Sequence, residues 1–256
     1  IITNISCNNF NDGAITLNPS GGSNGPYTEN WGSINPNALS DGSYFVTITD
    51  NSSGCSNDTT ITLVEPDLFT VNFTVSSNEI CLEDPVTLNF NFNQGGVSPF
   101  TINYTENGNA ETAGPFNNSG QQQVNISPTS GNNTYIITNI TDGNGCVNQN
   151  NINSEDIYVN PKPDINIAIA PNPICVGDNS NISFTSSAGT PPYSVDFTEG
   201  GTGMSVFVPA AGANVPVSPT NTTIYALNFV TDDKGCTANL SDNVTLIVNE
   251  LPELII

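Results

Sequence analysis

Residues 134–146 read TYIITNITDGNGC, and two further stretches follow the same plan: SYFVTITDNSSGC at 43–55 and IYALNFVTDDKGC at 224–236. Each carries a tyrosine (Tyr44, Tyr135, Tyr225) eleven residues before a cysteine (Cys55, Cys146, Cys236). Between the two, apolar and polar residues alternate with period two, the pattern of a strand with one buried and one wet face. A Thr-Asp pair then enters a short turn that closes on Gly-Cys. No segment carries a competing helical period, and the Asn-rich stretches oppose one.

Further landmarks recur in the same order on either side. GPYT (25–28), SPFT (98–101) and PPYS (191–194) each follow a Gly-containing loop. NEICLED (78–84) matches NPICVGD (172–178), with ISCNNFND (5–12) as a looser relative. TLVEPD (62–67), IYVNPKPD (157–164) and LIVNELPE (246–253) close the units on a strand running into proline or acid. Landmarks repeated three times in one order define repeats at 1–66, 67–162 and 163–252, with 253–256 opening a further domain. Within the second, strands are predicted at 69–76, 86–93, 99–105, 121–127, 134–141 and 153–159. Turn clusters separate them at the spacing of an antiparallel sandwich. The predicted fold is all-β: a tandem array of three immunoglobulin-like antiparallel β-sandwiches. The tyrosine opening the penultimate strand is either a tyrosine corner or an ordinary core aromatic.

The composition narrows the chemistry. The 256 residues include 24 Asp and Glu, Lys162 and Lys234 as the only cations, no arginine and no histidine, for a net charge of -22. Nucleic acid and anionic membrane surfaces need a Lys/Arg footprint that two lysines cannot supply. Histidine-dependent triads and His-ligated metal or haem sites are excluded. The polar character comes instead from 41 Asn with abundant Ser and Thr, and 22 Gly and 18 Pro punctuate the turns. No apolar run is long enough to span a membrane. The chain opens directly on strand-like IITNIS, and it reads as an excerpt whose targeting signals lie elsewhere.

Six cysteines fall two to a repeat: Cys7 and Cys55, Cys81 and Cys146, Cys175 and Cys236. Even pairing, with no CxxC, points to disulfides and an oxidising, extracellular setting. The favoured connectivity lies within each repeat, closing 48 to 65 residues. Each such bridge contributes roughly 4 kcal/mol on the chain-entropy model. The alternative joins neighbours, Cys7 to Cys146 and Cys81 to Cys236, because the first turn and last hairpin of a simple sandwich lie at opposite ends.

The first repeat resembles the SprB-type repeat of large gliding-motility adhesins in Bacteroidetes. SCNNFNDGAITLNPSGGSNGPYTENW, ALSDGSYFVTITDNSSGC and ITLVEP carry the likeness, with NSSGC longer than the family's NGC turn. The second and third repeats resemble the Ig/PKD-like repeats of the same surface proteins, through ICLED, ICVGD, TDGNGC and TDDKGC. The resemblance implies an extracellular structural and adhesive segment of a cell-surface adhesin, engaged in gliding motility and surface attachment. It also implies type IX secretion through a C-terminal signal, and attachment at the outer membrane. Asp58-Thr59-Thr60 matches the Asp-Thr-x pattern of Bacteroidetes O-glycosylation, making Thr59 the candidate acceptor.

Candidate chemistry is sparse. Asp50, Asp142, Asp232 and Asp233 lie in the Thr-Asp turns and are candidate calcium ligands, calcium being the one cofactor considered. The alternative is that they cap their turns through Asx hydrogen bonds. Paired carboxylates could hydrolyse glycosides, but turn-located acids on small sandwiches offer no cleft, so no enzyme activity is expected. Trp31, the single tryptophan, reads as a packing residue ahead of a sugar platform. The expected partners are neighbouring repeats of the same chain and a surface polysaccharide or substratum, with no nucleic acid and no membrane insertion. Rival readings are a polysaccharide-binding module of the same adhesin and a spacer in a secreted multidomain enzyme. The near-absence of basic residues predicts resistance to trypsin-like proteases, and the net negative charge predicts mutual repulsion between filaments.

Overall fold

The computed structural model describes residues 1–93, 95–150 and 153–253. The expected start of a further domain at 253–256 therefore lies, but for Glu253, outside the described residues. Strands and turns make up the described chain, and no helix is long and apolar enough to cross a membrane.

Residues 1–66 carry β1 (Ile2–Thr3), β2 (Ala14–Ile15), β3 (Tyr27–Asn30), β4 (Gly42–Asp50) and β5 (Ser56–Leu63). Residues 67–162 carry β6 (Val71–Val75), β7 (Glu79–Cys81), β8 (Val86–Phe92), β9 (Phe100–Glu106) and β10 (Asn109–Phe116). They continue with β11 (Gln121–Ile126), β12 (Gly131–Thr141), β13 (Val147–Asn148) and β14 (Ser154–Asn160). The remainder carries β15 (Asp164–Ala170), β16 (Ile174–Cys175), β17 (Ser180–Ala188), β18 (Tyr193–Glu199) and β19 (Thr202–Val208). It ends with β20 (Ala213–Val217), β21 (Thr223–Thr231), β22 (Thr237–Asn239), β23 (Asn243–Leu246) and β24 (Val248–Asn249). All six strands expected in the second repeat are present, within a few residues. Three were not foreseen: β7, β10 and β13. β10, reading NAETAGPF, has Thr112 as its one β-branched residue and is held by its ladder to β9.

The chain divides into two compact units, one of residues 1–74, 88–124 and 134–155, the other of 75–87, 125–133 and 156–256. All five breaks fall inside strands, so β6, β8, β11, β12 and β14 continue from one unit into the other.

In the first unit, β4 lies between β3 and β5, and β1 pairs with β2. A small core gathers Ile5, Ile15, Trp31, Leu39, Val46 and Leu63. Trp31 is a packing residue, and its indole N–H donates to Glu29 Oε2 at 2.9 Å. Farther along, β9 lies between β10 and β12. Alternation is strict on β8, where Leu88, Phe90 and Phe92 are buried and Asn91 is exposed. Phe90 stacks on Phe73 at 5.2 Å and Phe92 on Phe100 at 4.6 Å between ring centroids. Each such side chain contributes about 1.5–3 kcal/mol by leaving water.

In the second unit, β15-β17-β20 form one sheet and β19-β18-β21-β22 another, with β23 also on β21. Their core includes Phe184, Tyr193, Val195, Phe197, Tyr225 and Leu227. Two pairings break the antiparallel rule expected from the sequence. β7 runs parallel to β14, with Cys81 opposite Asn160, and β16 runs parallel to β24, with Cys175 opposite Asn249.

Candidate functional site

The recurring Thr-Asp turn is organised around one carboxylate. Asp142 Oδ1 accepts the N–H groups of Asn144 (3.0 Å) and Cys146 (2.9 Å), while its Oδ2 accepts that of Val97 (2.9 Å). Asp232 does the same with Lys234 (3.0 Å), Cys236 (2.8 Å) and Thr190 (2.9 Å). Asp50 uses Ser52 (2.8 Å) and Ser23 (2.5 Å). In the longer NSSGC turn, the Cys55 N–H reaches Ser53 Oγ at 3.4 Å instead of the aspartate. The closing backbone bond survives the extra residue: Asp50 N–H to Cys55 C=O spans 2.9 Å, against 3.0 Å in each of the other two turns.

These aspartates are 5, 6 and 6% exposed, in chain order. A buried carboxylate without a cation is tolerated only if N–H donors surround it, and the turn supplies them. The Ser23 N–H, followed by those of Ser52 and Ser53, holds the Asp50 carboxyl below its ordinary range against the opposing effect of desolvation. Their second oxygens fasten the turn to the loop just before the PY/PF landmark, where Gly25-Pro26, Ser98-Pro99 and Pro191-Pro192 are cis. The structure thus gives Asp50, Asp142 and Asp232 the turn-capping role. It places them one to a repeat, and among the described residues no three Asp, Glu or Cys groups converge to hold a metal. Asp233 is exposed and contributes its backbone N–H to Thr190 C=O at 3.0 Å. Thr59 is exposed on β5.

A second turn follows each earlier cysteine, and here ISCNNFND proves a full member of the set. Phe10, Asp84 and Asp178 donate their N–H to the carbonyls of Cys7, Cys81 and Cys175 at 3.1, 3.0 and 3.0 Å. The residue two places after each cysteine has positive φ: Asn9 62°, Glu83 72°, Gly177 95°. Asp84 and Asp178 brace their turns by accepting the Cys81 and Cys175 N–H groups, each at 3.2 Å. In the first repeat Glu65 takes over, accepting Asn8 Nδ2 at 2.8 Å and the Asn9 N–H at 2.6 Å.

The cysteines overturn the favoured connectivity. Cys7 is bonded to Cys146 and Cys81 to Cys236, each with Cα atoms 5.5 Å apart, so the alternative pairing between successive repeats is the one that forms. Cys55 and Cys175 are free and exposed. The third repeat shows why a bridge within a repeat fails. Cys175 lies opposite Asn249, just past Leu246, and Leu246 pairs with Thr223 at the start of β21. Cys236 lies in the turn beyond the other end of that nine-residue strand. Some 30 Å of strand, at about 3.3 Å per residue, separates two sulfurs that need Cα atoms within about 7 Å.

Both lysines are spent on ion pairs: Lys162 with Glu83, and Lys234 with Glu79 at 2.8 Å. Lys234, followed by the Asn160 amide, holds the Glu79 carboxyl below its ordinary range, and Lys162 does so for Glu83. Two partners that the sequence reading passed over are Glu106 and Glu199. They sit opposite Tyr135 and Tyr225 in register and accept the phenol O–H at 2.7 and 2.9 Å. The shared signal was there to find, in YTENG at 104–108 and FTEGG at 197–201. Of the three tyrosines Tyr44, Tyr135 and Tyr225, the tyrosine-corner bond is made by Tyr44, to the Ser40 carbonyl at 2.8 Å.

Comparison with known proteins extends this picture. No curated protein matches the chain. Among solved structures it is similar to part of a 1.5-MDa bacterial ice-binding adhesin, at 15% identity and a TM-score of 0.42, covering 85% of this chain and 82% of that one. It is also similar to a three-Ig segment of titin, at 11% identity and a TM-score of 0.42, covering 88% and 82%. A third likeness is to three N-terminal domains of the bacteriophage RB49 outer capsid protein Hoc, at 11% identity and a TM-score of 0.39, covering 88% of each. The family finding concerns the N-terminal stretch holding the Cys7 turn and the GPYT landmark: residues 1–31 match the SprB repeat.

Proposed function

We propose that this chain is a repeat segment of a bacterial cell-surface adhesin, working outside the cell in gliding motility and surface attachment. The observation that carries the reading is the SprB repeat over residues 1–31. Two disulfides support an extracellular setting, since such bridges persist in oxidising compartments. Export by type IX secretion and attachment at the outer membrane belong to the same proposal.

The role is mechanical, not catalytic. Covalent ties between successive repeats suit a segment that must carry load while spacing and displaying its neighbours. The proposed partners are adjoining repeats of the same chain and a polysaccharide or solid substratum. Fluorescent antibodies raised against the chain should label intact gliding cells with signals that travel along the cell body. Deleting its coding segment should slow colony spreading and weaken attachment. Label that appears only after permeabilisation would contradict the reading.

A further inference from the structure

We propose that Cys55 and Cys175 are complementary half-sites of the same inter-repeat bridge, each taking a cysteine of the opposite class from another repeat. The inference rests on the bridges already formed and is independent of the adhesive role. Two classes of cysteine exist. The early class (Cys7, Cys81, Cys175) opens the turn with positive φ two residues later. The late class (Cys55, Cys146, Cys236) closes the Asp turn. Both bridges join an early cysteine to the late cysteine of the repeat that follows, Cys7 to Cys146 and Cys81 to Cys236. Cys175 is the early cysteine left over, and Cys55 the late one.

Their surroundings match those of the bonded members. Cys175 reproduces Cys81 bond for bond. Each faces an Asn on a parallel strand, is capped by an Asp three residues on at 3.2 Å, and accepts that residue's N–H at 3.0 Å. At the late end, the groove beside Cys146 is lined jointly by Asp142, Asn144 and by Ser6 and Asn8, the residues flanking Cys7. The counterpart beside Cys55 is an open cleft of about 240 Å³, lined by Gly21, Gly22, Tyr27 and Asp50. The bonded late cysteines are buried at 6 and 1% exposure, whereas Cys55 is exposed. The cleft at Cys55 therefore lacks the early-class turn that covers its equivalent at Cys146.

In the bonding step one thiol of each class loses its proton. The two sulfurs join, and two electrons with the two protons pass to a disulfide-form oxidant, which is reduced to two thiols. Because early always meets the late cysteine of the next repeat, the union is head to tail. A second copy of this chain presents both halves.

The 256-residue chain as Cys55→Ser keeps only the Cys175 thiol, and as Cys175→Ser only that of Cys55. Mixed in a glutathione redox buffer, the two variants should form Cys175–Cys55 dimers at about tenfold or more over either homotypic dimer, since docking raises effective concentration. The unmutated chain should give a head-to-tail ladder on non-reducing gels, and urea should erase the preference. A statistical mixture of the three dimers, glutathione adducts alone, or a preference that persists in urea would each overturn the proposal.

Discussion

Single side chains set how this fold responds to pH and substitution. Asp232 answers three backbone N–H groups, and its removal strands them in a buried turn. Asp232→Ala should cost about 3 kcal/mol in urea unfolding, from lost charge-assisted bonds and unsatisfied donors, and Asp232→Asn should cost less because one acceptor oxygen remains. Asp50 is held below its ordinary carboxyl range in the folded chain. Its stabilising effect is therefore complete above the unfolded value near 4 and is lost as pH falls below it. Tyr135 and Tyr225 are displaced the other way, first by burial and then by Glu106 and Glu199, whose negative charge favours the neutral phenol. Their contribution is intact below the unfolded value near 10 and drains as pH climbs past it. The urea midpoint should stay level between about pH 5 and 9 and decline on both sides. A midpoint that holds steady down to about pH 2 would show that the Asp50 carboxylate contributes nothing.

At the scale of strands and turns, most of the architecture was legible because burial imposes strict alternation. VTLNFNF and YIITNIT announce β8 and β12 through their apolar positions, and both are strands. Short pairings such as β7 with β14 left no such trace, since a three-residue strand carries too little periodicity to register. The early-cysteine turn was half legible. ICLED and ICVGD match in sequence, whereas CNNF is a looser relative whose full membership shows in backbone geometry, because Asn, Glu and Gly all occupy the position with positive φ. Gly177 is the test of that turn. Nothing lies within 4 Å of where a Cβ would be, so Gly177→Ala should lose only the backbone penalty, about 1 kcal/mol. Gly143 contrasts with it: a Cβ there would stand 2.5 Å from the Ser98 carbonyl oxygen, and Gly143→Ala should destabilise considerably more. Thermal melts of the two variants side by side will check that order.

Over the whole chain, the sequence pointed to disulfides but not to which cysteines form them, and of the six it expected to be bonded Cys55 and Cys175 are free. Matched cysteines in each repeat suggested closure within the repeat, and the length of β21 between Cys175 and Cys236 forbids it. The two bridges that form close 139 and 155 residues of chain, so each removes a large share of unfolded-state freedom, about 5 kcal/mol on the chain-entropy model. Reduction should lower the melting temperature sharply, and Cys7→Ser with Cys146→Ser should account for about half of the loss. The same bridges bear on proteolysis. Lys162 precedes Pro163, which blocks trypsin, and Lys234 sits in the Asp232 turn two residues before bonded Cys236. Native chain should stay uncut by trypsin, and reduced, unfolded chain should be cleaved after Lys234. The most direct measurement is peptide mapping of the native chain, digested with pepsin under acidic, non-reducing conditions that prevent exchange. Cys7–Cys146 and Cys81–Cys236 peptides are expected, whereas Cys7–Cys55, Cys81–Cys146 or Cys175–Cys236 peptides would contradict a chain tied together from one repeat to the next.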